Sequence, residues 1–285
     1  DYETIALNEI KRIGYTEEYH VHTVVNQQSP EIHNAVNRDE VCAGDQGIMF
    51  GYACDENDEY MPLTIYYAHL LARQLTKVRR QHPDLLKPDG KTQVSVEYEN
   101  DEIKRIDTIV VSTQHSKDIT QEEIKELIMN EVIKPCIDEK YLDENTKYFI
   151  NPSGSFVVGG SWGDSGTTGR KIVCDTYGGR GRIGGGCFSS KDPTKVDRSA
   201  AYYSRYVAKN IVANGLARRC EVEVAYAIGK AQPVSLCVDT FGTGKFDDEK
   251  LLEIVKKNFN FEVGNIISEL DLRKPVYHKT SRSEE

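Results

Sequence analysis

Gln93-Val94-Ser95-Val96-Glu97-Tyr98-Glu99-Asn100-Asp101-Glu102-Ile103-Lys104-Arg105-Ile106-Asp107-Thr108-Ile109-Val110-Val111-Ser112-Thr113 decides the fold class. Residues 93–98 and 106–113 alternate and are rich in Val and Ile, so each predicts a strand. Glu99-Asn100-Asp101 lies between them and predicts a hairpin turn. Just downstream, Thr120-Gln121-Glu122-Glu123 has the spacing of a capping box. It predicts a helix that ends near Lys134-Pro135. Residues 147–150 and 156–158 predict short strands around Asn151-Pro152-Ser153-Gly154. Upstream, residues 62–81 predict a helix, with Pro62 in its first turn and Leu63, Tyr66, Leu70 and Val78 as its apolar stripe.

The ends of the chain repeat this style. Residues 2–13 have spaced apolar positions and predict a helix; residues 19–25 predict a strand. His20 and His22 would share one face of that strand, with no third metal ligand nearby, so they read as a half-exposed strand face. Residues 199–213 predict a helix closed by Gly215, residues 221–228 and 234–238 predict strands, and residues 247–259 predict a last helix before an irregular end. Strand pairs alternate with single helices. The expected class is therefore α+β with mixed or antiparallel sheets, not a doubly wound parallel sheet.

The chain has 285 residues and a formal charge of -9. That length predicts about two domains, or three small ones. The acidic balance argues against a general nucleic-acid binder, and no apolar run is long enough to cross a bilayer, so the expectation is a soluble, cytoplasmic protein. No basic-then-apolar leader follows Asp1. Seven widely spaced cysteines without a CxxC predict reduced thiols, not a disulfide framework or a zinc cage.

One stretch reverses the charge. Residues 170–198 hold Arg170, Lys171, Arg180, Arg182, Lys191, Lys195 and Arg198 against only Asp175, Asp192 and Asp197. They also hold six of the 22 glycines, with Gly184-Gly185-Gly186 consecutive. Glycine lets backbone amides approach a ligand, and cations neutralise phosphate. The stretch predicts a polyphosphate site. It is not a Walker A loop, because Ser190 precedes Lys191 and Asp192 follows it, and it is not a dinucleotide fingerprint, because no Gly-x-Gly-x-x-Gly opens a helix after a strand. Asp45, Asp89, Asp164, Asp192 and Asp197 are the acids placed to meet magnesium or a cationic substrate group, although each could also form a turn or cap a helix, Asp197 above all.

Several of these segments together resemble one family. Ala43-Gly44-Asp45-Gln46-Gly47-Ile48-Met49-Phe50-Gly51-Tyr52-Ala53, Gly184-Gly185-Gly186-Cys187-Phe188-Ser189-Ser190-Lys191-Asp192, Thr194-Lys195-Val196-Asp197-Arg198-Ser199 and Gly169-Arg170-Lys171-Ile172 are similar to motifs of the S-adenosylmethionine synthetase (methionine adenosyltransferase) family. Ser112-Thr113-Gln114-His115 and Tyr226-Ala227-Ile228-Gly229 add to the likeness, which runs from about residue 1 to residue 279. The resemblance implies three intertwined α+β domains with helices on one face of each sheet, divided here as 1–41 (partial), 42–158 and 159–285. It implies a homodimer, or a dimer of dimers, with sites at the subunit interface. It also implies attack of methionine sulfur on C5′ of ATP, with tripolyphosphate released and then cleaved to pyrophosphate and phosphate. A catalytically incomplete ATP-binding paralogue acting as a regulatory subunit is the alternative reading.

The resemblance assigns residues as well. Lys91, Arg170 and Lys191 would be catalytic. Asp89, Lys91, Ser153, Ser155, Phe156, Asp164, Arg170, Lys171, Cys187, Lys191 and Lys195 would bind ATP, with Phe156 stacked on adenine. Gln28, Asp45, Asp164 and Lys195 would bind methionine, and Asp197 would hold Mg2+. K+ is the second implied ion. Ser155, Ser161, Cys187 and Ser190 stand where the family has Arg, Pro, Ala and Gly. The family's opening Gly-His-Pro-Asp-Lys segment does not precede Asp1, and Ser281-Arg282-Ser283-Glu284-Glu285 replaces its usual tail.

Overall fold

A computed structural model describes residues 1–36 and 40–280. Asn37–Asp39 and the departing tail at 281–285 lie outside them. The chain folds as two compact units, each made of two stretches: Asp1–Gln27 with Tyr66–Gly166, and Gln28–Ile65 with the chain from Thr167 on. Both are α+β, with one mixed and one antiparallel sheet, as expected from the sequence.

In the first unit the hairpin forms as read. Strand β2 (Leu86–Glu99) pairs antiparallel with β3 (Glu102–His115), and Glu99 faces Glu102 across a two-residue turn. Asn100 and Asp101 sit at φ 52° and 62°, left-handed values that a primed hairpin turn demands and that Asn and Asp tolerate. Strand β4 (Lys147–Ile150) adds parallel to β3. Helix α1 (Tyr2–Ile13) is capped by the Asp1 carboxylate, which accepts from the Glu3 amide, and closes at Gly14 with φ 112°. Helix α3 (Leu63–Gln81) starts just after Pro62, and its buried seam in this unit is Tyr67, Leu71, Leu75 and Val78. Leu63 and Val78 of the expected stripe are buried, whereas Tyr66 and Leu70 are only half-buried and their neighbours Tyr67 and Leu71 take the core positions.

The expected capping box is present: the Thr120 hydroxyl accepts from the Glu123 amide, and the Glu123 carboxylate accepts from the Thr120 amide. Helix α4 (Gln121–Leu127) then widens into a π-helix (Ile128–Ile133) before the last turn α5 (Lys134–Cys136). Pro135 explains the defect. It has no N–H to give the Glu131 carbonyl four residues back, and its ring crowds that carbonyl. The orphaned Glu131 oxygen instead accepts from the Gln74 side chain at 2.7 Å.

Two expected strands are absent. Residues 19–25 and 156–158 are irregular. His20 and His22 are exposed on the former, so no strand face presents them. Alternation alone cannot make a strand without a partner edge, and no β-ladder includes either segment.

The second unit is built on the antiparallel sheet β1 (Gly47–Cys54), β5 (Arg219–Tyr226) and β6 (Ser235–Asp239), in the order β1-β5-β6. Helix α6 (Val196–Ala213) covers one face, burying Ala200, Tyr203, Val207 and Ile211 with Met49, Val222 and Val224 of the strands. Gly51 makes that approach possible: a Cβ there would lie 2.0 Å from the Ser204 backbone carbon. Helix α6 ends as expected, with Gly215 at φ 64° and amides of Gly215 and Leu216 bonded to the carbonyls of Val212 and Ile211. Helix α7 (Asp248–Asn258), capped by Asp247, adds Leu251 and Val255 to the core. Strand β1 and two short helices, α2 (Pro30–Val36) and α8 (Val263–Glu269), carried no sequence expectation. All seven cysteines are free thiols. No helix among the described residues is long and apolar enough to cross a membrane.

Candidate functional site

The second unit gathers its cations around the start of α6. Lys195 is the N-cap residue and Asp197 lies in the first helical turn. Asp197 is therefore not the cap it might have been. Its carboxylate instead takes the Lys191 ammonium at 2.5 Å. The approach to α6 is fixed by Asp192, whose carboxylate accepts from the Thr194 amide and hydroxyl. Burial works against the charged form of Asp192, but those bonds and the Lys195 ammonium hold its carboxyl below the usual range.

Glycine draws three further loops onto this point. The Gly44 amide donates to the Thr194 carbonyl at 2.9 Å, and a Cβ on Gly44 would lie 3.0 Å from the Lys195 Nζ. That puts Asp45, the next residue, beside the same corner. A Cβ on Gly186 would lie 2.2 Å from the Asp197 carboxyl carbon, so the triple-glycine loop rests directly on that acid. A Cβ on Gly169 would lie 2.5 Å from the Cys187 Cβ, which brings the exposed cations Arg170 and Lys171 alongside the loop. Only about 20 Å³ of cavity remains between loop, β1 and α6, room for one water and not for a phosphate chain. A polyanion would meet the corner from the side of exposed Arg170 and Lys171 and half-buried Lys191.

The corner has unspent hydrogen-bond donors. Lys195 Nζ and Arg198 Nε are buried with no hydrogen-bond partner; Lys195 has only a 3.5 Å ion pair to Asp192. Buried donors are normally satisfied, and burying one without a hydrogen bond is costly. A polyanion would supply the missing acceptors, and the α6 N-terminus favours negative charge.

The first unit assembles a different set. The Asp89 carboxylate accepts from the Gly160 amide at 2.9 Å, and its own amide donates to the Gln114 side chain at 3.3 Å. Gln114 in turn donates to the Val157 carbonyl. A Cβ on Gly159 would lie within 3.1 Å of Asp89, Gln114 and Phe156 together. His115 clamps Phe156 at both ends of its peptide unit: its amide donates to the Phe156 carbonyl at 3.0 Å, and its Nε2 accepts from the Phe156 amide at 2.9 Å. That leaves the Nδ1 proton to bond the Ser116 carbonyl at 2.7 Å. Tyr15 packs on Gly160, and burial followed by the Asp89 charge pushes its phenol pKa up. Lys91 is exposed on β2, two residues past Asp89. Ser153 and Ser155 are exposed on the loop before and beside Phe156, and Asp164 is exposed after the short helical turn at Gly160–Trp162.

The sequence-predicted residues thus fall into two groups. Asp89, Phe156 and the adjoining Ser155 belong to one, and Asp45, Arg170, Lys171, Cys187, Lys191, Lys195 and Asp197 to the other. Gln28 is exposed on the segment before α2, with no bond to either group among the described residues. Gln114, His115 and Arg198 were quoted within motifs but given no role; a polar side chain inside a strand-end or first-turn motif was the available signal.

The donor set fits magnesium that arrives with phosphate. Magnesium is commonly held by one or two carboxylates plus phosphate oxygens, and Asp197 is one carboxylate beside the loop. No group of three acids, histidines or cysteines forms a cage among the described residues. Nothing in the described residues selects potassium. The thiols are not poised as nucleophiles where a shift is resolved: burial pushes Cys54 and Cys220 up to about 12 and Cys136 up to about 11.

The site thus sets a glycine-rich loop and several cations against the N-terminus of α6 in an α+β chain. The sequence specifies the family. It matches the S-adenosylmethionine synthetase central domain over residues 40–156 and the C-terminal domain of the same synthetase over residues 158–284. It is 54% identical to an S-adenosylmethionine synthase of Desulfosudis oleivorans over 295 aligned positions, which cover 99% of this chain and 76% of that protein. The chain belongs to the S-adenosylmethionine synthetase family.

Proposed function

We propose that the protein makes S-adenosylmethionine from ATP and L-methionine. The observation that carries this reading is the buried, hydrogen-bond-free Lys195 ammonium beside Lys191 and the triple-glycine loop, in a chain 54% identical to a named synthase. The methionine sulfur lone pair forms the S–C5′ bond as the C5′–O bond breaks, and that electron pair leaves on tripolyphosphate. No proton need move in this step. The demand falls on groups that neutralise the leaving anion, which suits preorganised cations.

Lys91, Arg170 and Lys191 take that catalytic role, and Lys171 and Lys195 share the phosphate load with the Cys187 loop. Phe156 stacks on adenine, with Asp89, Ser153 and Ser155 beside it. Asp164 serves ribose and methionine, and Gln28, Asp45 and Lys195 serve methionine. Asp197 would hold magnesium, which when bound supplies Lewis-acid neutralisation of phosphate oxygens. Lys191 must first exchange Asp197 for phosphate. Potassium, the division at 1–41, 42–158 and 159–285, a cytoplasmic location and assembly as a homodimer or dimer of dimers belong to the same proposal.

The test is mass spectrometry of product after mixing the purified protein with ATP, methionine, magnesium and potassium. S-adenosylmethionine is the expected result. ATP binding without product would overturn the synthetase reading and leave the regulatory paralogue.

A further inference from the structure

We infer that Arg198 is a positioning residue for the phosphate-loop lysine, acting through the Lys191 backbone and braced by Tyr277. Arg198 is the third residue of α6 and is only 5% exposed. Its Nη1 donates to the Lys191 carbonyl at 2.7 Å. Its guanidinium carbon lies over the Tyr277 ring, 4.5 Å from the centroid. Tyr277 is itself anchored, since its hydroxyl donates to the Leu272 carbonyl. A chain of contacts therefore runs from the C-terminal turn at Tyr277–Thr280 through one guanidinium to the peptide of Lys191.

The loop needs such an anchor. From Gly184 to Ser190 it holds three consecutive glycines and a serine at φ 66°, so its own backbone specifies little. Among its other side-chain ties are the Phe188 ring on Tyr202, with centroids 5.2 Å apart, and the Lys191 ammonium on Asp197. The second tie must break when Lys191 turns to phosphate. The Arg198 bond is to the carbonyl, so it survives that turn. It holds the lysine peptide while the side chain changes partner. Arg fits the task and Lys does not: only a planar fork can bond a carbonyl in its plane and stack on a ring with its face.

This inference rests on the synthetase reading for its kinetic test, but not for its structural one. The kinetic test is a double-mutant cycle of Arg198→Lys with Lys191→Ala, reading kcat and KM for ATP. Arg170, Lys171 and Lys195 still bind ground-state phosphate, so Arg198→Lys is expected to lower kcat about 10-fold to 100-fold with KM within about threefold. In the Lys191→Ala background it is expected to cost nothing further. Equal losses in both backgrounds, or a rise in KM at constant kcat, would overturn the inference by making Arg198 a structural residue or a direct ATP ligand. Tyr277→Leu, which removes the brace and keeps the guanidinium, is expected to move kcat in the same direction by roughly 3-fold to 10-fold; no change would also overturn it. Hydrogen exchange of residues 184–195 provides the structural arm. Faster exchange in Arg198→Lys supports the anchor, and unchanged exchange refutes it, whether or not the protein makes product. Absence of product from the wild-type protein refutes the synthetase reading alone.

Discussion

Around Phe156, polar groups are paired to one another; around Lys195, two buried donors have no hydrogen-bond acceptor. His115 takes both backbone groups of Phe156, and Asp89, Gln114 and Gly160 close a ring of bonds beside it. The α6 corner instead keeps two buried donors without acceptors and a lysine parked on an acid. The first region is finished before any ligand arrives, which on the proposed reading suits a stacking platform, because a flat ring needs a fixed partner and little charge. The second is left incomplete, which on the same reading suits an anion site whose acceptors come with the ligand. The contrast can be broken by changes that should damage one region's chemistry without the other's.

The largest expected effect is on the incomplete side. Lys191→Ala should lower kcat by about 100-fold to 1,000-fold, the usual result of removing one preorganised partner of transition-state charge. Its thermal unfolding should stay within a few degrees of wild type, since Lys191 contributes only a partly exposed ion pair to the fold. Near-normal kcat would mean the corner is not where the leaving group sits.

The scaffold under that corner should be less forgiving than the corner itself. Gly51→Ala places a methyl 2.0 Å from the α6 backbone, where no side-chain rotation can relieve it. A loss of about 3 kcal/mol in denaturant unfolding is expected, because α6 must lift from β1. Stability within about 0.5 kcal/mol of wild type would show that the helix can move freely over the sheet.

On the finished side, Phe156→Ala should act mainly on binding. A stacked base is worth about 1–3 kcal/mol, so KM for ATP should rise roughly 10-fold to 100-fold while kcat changes little. If kcat fell as Lys191→Ala does, the two regions would share one chemical role and the contrast would fail.

How much of this was legible in the sequence follows from the same contrast. The hairpin, the Thr120 capping box and the Gly215 helix end were readable because each is decided within a few residues: turn φ values, a hydroxyl and a carboxylate three apart, a residue without Cβ. The expected strands at 19–25 and 156–158 failed because alternation says nothing about whether a partner edge exists. Strand β1 was missed for the opposite reason: Gly47 and Gly51 look like loop residues until α6 is packed against them. The basic stretch announced the α6 corner by composition, and the family motifs named its residues. Neither could reveal that the Lys195 ammonium is buried without a hydrogen bond or that Arg198 grips the Lys191 carbonyl, since both depend on where distant backbone lies.

The smallest effect is the most telling about the loop. Ser190 stands where the family has glycine, and its φ of 66° is a left-handed value. An L-residue held there is strained by about 1–2 kcal/mol relative to glycine. Ser190→Gly should relieve that strain, but it also gives the unfolded chain more freedom to lose, which offsets part of the gain. The net expectation is stabilisation of about 0.5–1 kcal/mol, read as a rise of a few degrees or less in Tm. The side effect discriminates further. A freer residue 190 loosens the approach to Lys191, so if the loop is held mainly by its own backbone, kcat should fall. If the Arg198 bond to the Lys191 carbonyl holds it instead, kcat should stay within about twofold while Tm rises. A fall in Tm would mean that the serine is not strained in the folded loop at all.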